Sequence, residues 1–132
     1  MLKDIPVKNY MSQYVLTFSP EQEVLEAAKM LADRGIHSAP VMDNIGNLVG
    51  VLSDTDCMAV AIKVGYEPDF KGLVKEYMSD NPVTVEANES VLKIAEKFLK
   101  ERYRRYPVME DNRMIGQVDR LDVLRALEEM QR

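Results

Sequence analysis

Little in this chain is equipped for covalent chemistry. Cys57 is its one cysteine and His37 its one histidine. A single cysteine excludes a disulfide framework and a paired-cysteine metal site. A single histidine excludes a histidine pair at metal-ligand spacing, and neither a glycine-rich phosphate loop nor a nucleophile elbow occurs. No apolar run approaches the length that spans a membrane. The opening Met1-Leu2-Lys3-Asp4-Ile5-Pro6 carries an acid and a proline and does not read as a secretion signal, so a reducing cytoplasm is the expected location. Basic charge is also short. Lys and Arg number 17 against 22 Asp and Glu, giving a net charge of −5 and a pI near 4.9. Such a chain has no global attraction to nucleic acid or anionic lipid, and neither is expected as a partner. Catalysis is not expected either.

What is present is one unit written twice. Shifted by 67 positions, Val7-Lys8-Asn9-Tyr10-Met11-Ser12 falls on Val74-Lys75-Glu76-Tyr77-Met78-Ser79, and Pro40-Val41-Met42 falls on Pro107-Val108-Met109. Twelve positions match between Val7 and Asp43, where chance would give roughly two. After a one-residue deletion Gly50 meets Gly116 and Asp56 meets Asp122. The copies divide the chain into residues 1–66 and 67–132. At 132 residues, 46% of them hydrophobic, the two together make one ordinary globular domain with no need of a staple.

Each copy reads as strand, helix, strand, strand, helix, an α/β (α+β) pattern. In the first, Val15–Phe18 is a strand. Ser19 caps a helix whose first turn holds Pro20, with Gln22 completing a capping box. Val24, Ala28 and Leu31 make its apolar stripe, and Gly35 ends it in a left-handed conformation. Hairpin strands follow at Pro40–Met42 and Leu48–Leu52, then a helix from Ser53 to Val64 ended by Gly65. The second copy places a strand near Val83–Val85, a helix over 88–101, hairpin strands at Tyr106–Glu110 and Met114–Val118, and a helix from Asp119 or Arg120 to Met130. Leu124, Leu127 and Met130 cover the core or meet a partner chain. The apolar-segment methionines and the recurring Tyr10 and Tyr77 read as packing.

Two stretches could bind a ligand. In Gly50-Val51-Leu52-Ser53-Asp54-Thr55-Asp56 a buried strand ends in a hydroxyl residue that opens a helix, with a carboxylate three positions on. Helix-terminal amides and the Ser53 hydroxyl suit a phosphate, and the Asp56 carboxylate can accept from two ribose hydroxyls. The same spacing also makes a plain helix cap. In Arg102-Tyr103-Arg104-Arg105-Tyr106-Pro107, guanidinium forks match phosphate oxygens, although a solvated charge run looks the same. The first copy has Gly35-Ile36-His37-Ser38-Ala39-Pro40 there.

Taken in order and twice over, these residues resemble a CBS-domain pair, the cystathionine-β-synthase-type repeat or Bateman module. The markers are Tyr-Met-Ser before the first strand of each copy, His37-Ser38-Ala39-Pro40-Val41, the hairpin from Asp43 to Gly50, and Ser53-x-x-Asp56. The resemblance runs from about Val7 to Leu127. It implies two tandem β-α-β-β-α repeats in a pseudo-twofold disc, a flat homodimer of discs, and two clefts for adenosine-containing ligands: AMP, ADP, ATP or S-adenosylmethionine. It implies no required cofactor and no metal. One cleft takes Ser53 and Asp56 with Asn81, Val83, Tyr103, Arg104 and Arg105 opposite; the other takes Asp122 with Ile36, His37 and Ser38. At that second cleft Asp119 stands where a hydroxyl is expected, and it repels a phosphate by roughly 1 kcal/mol or more. The second cleft is therefore weak, empty, or tuned to an uncharged or cationic adenosyl group. Arg102 also replaces the helix-ending glycine.

The function this implies is a non-catalytic regulatory module that signals ligand occupancy to a separate protein. A ligand-independent dimerisation scaffold is the alternative from the sequence. A nucleic-acid module built on Arg102–Arg105 is opposed by the acidic total.

Overall fold

The structure, a computed structural model, describes residues Met1–Gln131. It contains mixed helices and short strands, as the α+β pattern requires. The chain forms two compact units, and these do not coincide with the sequence copies. One unit is Leu16–Pro82; the other joins Met1–Val15 to the chain from Val83 onward.

The Leu16–Pro82 unit holds α1 (Val24–Arg34), the antiparallel pair β1 (Ser38–Met42) and β2 (Leu48–Ser53), α2 (Asp54–Tyr66) and the short α3 (Val74–Tyr77). The discontinuous unit begins with 3-10 turns at Leu2–Asp4 and Val7–Asn9. It continues with β3 (Val85–Glu86), α4 (Val91–Lys100), β4 (Arg105–Glu110), β5 (Arg113–Asp119) and α5 (Arg120–Met130). There β3 pairs parallel to β4, and β4 antiparallel to β5. Both hairpins shift register at the same repeat position, between Val41 and Met42 and between Val108 and Met109.

Backbone pairing explains the interleaving. Glu23 bridges Leu73, the Val74 amide donates to the Gln22 carbonyl, and Ser79 bridges Val51. The lead of the second copy is thus stitched onto the body of the first. Equivalent bonds stitch the lead of the first copy onto the body of the second: Pro6 with Ser90, the Val7 amide to the Glu89 carbonyl, and Ser12 with Gln117. The recurring Met-Ser lies directly over the recurring glycine. A Cβ on Gly50 would come within 2.7 Å of the Ser79 carbonyl oxygen, and one on Gly116 within 2.5 Å of the Ser12 carbonyl oxygen. Only a residue without a Cβ admits the bridging backbone there.

Three local expectations are corrected. Ser19 does not cap α1, which starts at Val24 with Glu23 as N-cap and no side-chain cap bond. The segment before it is held instead by pairing with Leu73, and Gln22 closes a turn onto the Ser19 carbonyl. Val15–Phe18 is not a strand; Phe18 alone bridges Val41, with two backbone hydrogen bonds flanking it. Gly65 does not end α2, which runs through Tyr66. Gly35 does end α1 with φ of 64°, whereas α4 exits through an extended Glu101, so Arg102 has no left-handed geometry to supply.

The cores are built with different side chains at matching positions. Ala27 and Ala39 are buried in the Leu16–Pro82 unit, where Phe18, Leu31 and Leu52 fill the space. Their counterparts in the other unit are Ile94 and Tyr106, both fully buried, packed with Val85 and Val108. The Tyr106 hydroxyl donates to Glu101 Oε1 at 2.8 Å, so the buried phenol keeps a partner. Cys57 is buried and its thiol is pushed up by desolvation, which suits an inert packing role. No helix among the described residues is long and apolar enough to cross a membrane.

Candidate functional site

Strand β2 runs out at Ser53, where the backbone turns into α2 from an extended conformation. The Ser53 hydroxyl accepts the Asp56 amide at 3.1 Å, and Asp56 Oδ2 accepts the Ser53 amide at 2.8 Å. This reciprocal capping box satisfies two of the helix's orphan donors. It fixes the Asp56 carboxylate while using one oxygen; Oδ1 makes no hydrogen bond among the described residues. A carboxylate so held can accept from a pair of vicinal hydroxyls. The hairpin register brings Ser38 opposite Ser53, and His37 Nδ1 lies 2.9 Å from Asp54 Oδ2, both side chains about half exposed. His37 and Ser38, expected with Asp122, therefore sit beside the α2 N-terminus of their own unit. Ile36 is half-buried against that unit's core.

The α5 N-terminus repeats the box with a carboxylate as the cap. Asp119 Oδ1 accepts the Asp122 amide at 3.0 Å, and Asp122 Oδ2 accepts the Asp119 amide at 2.9 Å. Here the second oxygen is occupied, because Asp122 Oδ1 is paired with Arg125 Nη1. Asp122 is buried, and desolvation raises its carboxyl above the usual range. The Asp119 backbone bond opposes that shift, the Asp119 charge adds to it, and Arg125 opposes it.

A cavity of about 320 Å³ opens over this terminus, lined by Ser12, Tyr14, Arg105, Gln117, Asp119, Asp122 and Arg125. Arg105 arrives there because it is the register partner of Asp119. Its Nε is buried and has no hydrogen-bond partner among the described residues. Arg105, expected to act with Ser53 and Asp56, is thus found in the cavity of Asp119 and Asp122.

The preceding loop is fixed by Arg120, whose Nη2 donates to the Tyr103 carbonyl at 3.3 Å, and by the Tyr103 ring, whose centroid is 5.8 Å from that of Tyr106. Arg104 and Asn81 are exposed, and Val83 packs against the core of the discontinuous unit. Sequence reasoning did not pick out Tyr14, Gln117 or Arg125. Tyr14 is the counterpart of Asn81 and could have been found by applying the repeat in both directions. The Asp122–Arg125 spacing of three on one helix was a second available signal. Among the described residues, no cluster of three His, Cys, Asp or Glu could hold a metal ion.

The CBS domain family model matches residues 7–63 and 74–129. This chain belongs to the CBS-domain family. Across 92% of its length it is 31% identical to a CBS domain-containing protein of Dictyostelium discoideum, DDB_G0289609, and covers 90% of that protein. It is 25% identical over 95% of its length to MK0525 of Methanopyrus kandleri, of which it spans 64%. It spans 24% of MJ1404 of Methanocaldococcus jannaschii and 20% of the Arabidopsis thaliana protein CBSCBSPB3. Among solved structures, CBSX2 of Arabidopsis thaliana in complex with AMP is 27% identical with a TM-score of 0.84, covering 97% of this chain and 99% of that one. The CBS domain pair of MJ0100, in complex with 5′-methylthioadenosine and S-adenosylmethionine, is 28% identical with a TM-score of 0.73, covering 95% and 97%. The two tandem CBS repeats and their α+β fold follow from these matches.

Proposed function

We propose that this chain is a regulatory CBS pair that binds an adenosine-containing ligand and reports its occupancy to a separate protein. The observation that carries the reading is the Ser53–Asp56 box, a helix N-terminus whose carboxylate is fixed through one oxygen and open at the other. AMP in the related CBSX2, and methylthioadenosine and S-adenosylmethionine in the related MJ0100 pair, support the ligand class. Asn81, Val83, Tyr103 and Arg104 are the further contacts the family resemblance proposes, to be tested residue by residue; Arg105, expected with them, lines the cavity of Asp119 and Asp122. Signalling requires that the ligand bind two conformations unequally.

Self-association is part of the reading. Leu121, Leu124 and Leu127 form an exposed apolar stripe on α5, and Met58, Ile62 and Tyr66 another on α2. Leu124, Leu127 and Met130 do not cover the core. Exposed stripes of this kind fit a homodimer. Sedimentation of Leu124→Glu should give a monomer where the parent chain gives a dimer.

The deciding experiment is thermal melting against AMP, ADP, ATP, S-adenosylmethionine, NAD and GTP. A ligand at 100 times its Kd adds about 2.7 kcal/mol. One adenosyl compound should raise the Tm, and Asp56→Asn, which keeps a capping acceptor, should remove most of the rise. No shift with any compound, on protein checked to be free of carried-over nucleotide, would leave the ligand-independent scaffold as the better reading.

A further inference from the structure

The two helix N-termini differ in charge at three matched positions. Ser38, Ser53 and Ala59 in the first copy correspond to Arg105, Asp119 and Arg125 in the second. The second set shares one cavity, which also holds Asp122. Two arginines and two aspartates leave that lining formally neutral, but the charges are not all spent on one another. Arg125 pairs with Asp122. Arg105 makes no ion pair with Asp119, although the two are register partners, and its Nε is buried without an acceptor. A buried donor without a partner is costly and uncommon. Asp119 spends Oδ1 on the cap and makes no hydrogen bond through Oδ2 among the described residues.

We propose that Arg105 and Asp119 are specificity-determining residues that make this cavity select an adenosyl ligand bearing an amino-acid zwitterion, over a nucleotide bearing phosphate. The inference rests on the adenosyl-binding reading above. The Arg105 guanidinium, which makes no ion pair in the cavity lining, takes the ligand's carboxylate; Asp119 takes its ammonium. A phosphate would gain Arg105 but face the Asp119 carboxylate, which a doubly charged anion cannot neutralise. An adenosyl compound without the amino-acid group would leave both residues unmatched. Tyr14, almost fully exposed at the cavity edge, adds an aromatic face to the lining.

The test is calorimetric titration in an Asp56→Asn background, which silences the other candidate terminus. The probes are S-adenosylmethionine, 5′-methylthioadenosine, which lacks the zwitterion, and AMP. S-adenosylmethionine should bind at least about tenfold tighter than either, the worth of one charged hydrogen-bond pair. Arg105→Met should reduce S-adenosylmethionine to the level of methylthioadenosine and leave methylthioadenosine unchanged. Asp119→Ser, which restores the hydroxyl of the first copy, should bring AMP up toward S-adenosylmethionine. Equal binding of S-adenosylmethionine and methylthioadenosine, or AMP the tightest of the three, overturns the proposal without any variant having to fold. An unchanged ratio in Arg105→Met overturns the role of Arg105. If none of the three binds to the unsubstituted chain or to this background, the adenosyl reading itself falls, which is a different result from binding without discrimination.

Discussion

At Ser53 the cap is a hydroxyl and the carboxylate three residues on keeps an oxygen to offer; at Asp119 the cap is itself a carboxylate and its partner is held from both sides. The backbone hydrogen bonds of the two boxes agree within 0.1 Å. What differs is the side chain one turn further along, Ala59 against Arg125, and the residue across the hairpin, Ser38 against Arg105. The lesson is that a capping box sets position and leaves chemistry open. A duplicated scaffold can hold two carboxylates identically and give them different tasks through neighbours the box does not involve.

The widest gap between the units lies in their cores, where Ala39 and Tyr106 occupy the same repeat position. Tyr106→Ala should cost about 3–5 kcal/mol in urea denaturation, by cavity formation plus a lost buried hydrogen bond. A cost below about 1 kcal/mol would mean the neighbouring Phe98 and Tyr103 rings collapse into the space. Next comes the feature the units share. Gly50→Ala and Gly116→Ala should each destabilise by about 1–3 kcal/mol, because the added methyl meets backbone carbonyl as well as methionine sulfur. Similar losses at both sites would confirm that the two leads are stitched on equally; one neutral site would break the symmetry.

The pH dependence sharpens the contrast between the aspartates. A carboxyl raised in the folded chain holds its proton more tightly there than in the unfolded chain. Its contribution is therefore most favourable below the unfolded value near 3.8 and declines as pH rises through the folded value. The stability of the parent chain relative to Asp122→Asn should thus fall as pH climbs from about 3 to about 6, read from urea midpoints. Arg125→Ala should steepen the decline, since Arg125 favours the charged form. The smallest effect belongs to the exposed ion pairs of the recurring lysine, Lys8 with Glu110 and Lys75 with Glu21, whose acidic partners are not repeat counterparts. Lys75→Ala should change stability by under about 1 kcal/mol and be indistinguishable from Lys8→Ala.

Where structure is governed within a few residues, the sequence was readable. Ser53 and Gly35 terminate their helices as their chemistry requires, and the hairpins fall where the repeat puts them. Two of the three failures share a cause. Ser19 lost its cap role, and Val15–Phe18 its strand, to pairings with residues tens of positions away. The site divided along the same line. The carboxylates and their caps were legible from spacing. The position of Arg105 was not, because it depends on which residue faces it across a hairpin, and the charge run that contains it reads the same whichever way its members point.

The stitching of each lead onto the other copy's body also sets an order for folding. During synthesis the Leu16–Pro82 unit has all its parts once Pro82 has emerged, and it can close while translation continues. Met1–Val15 is made first and yet has no partner until β5 and the Ser90 helix start exist. Until they do, the arm has no partner in its own unit. Val7, buried completely in the finished chain, then waits for the Glu89 carbonyl, and Ser12 waits for the Gln117 edge, which a second nascent chain could offer in its place.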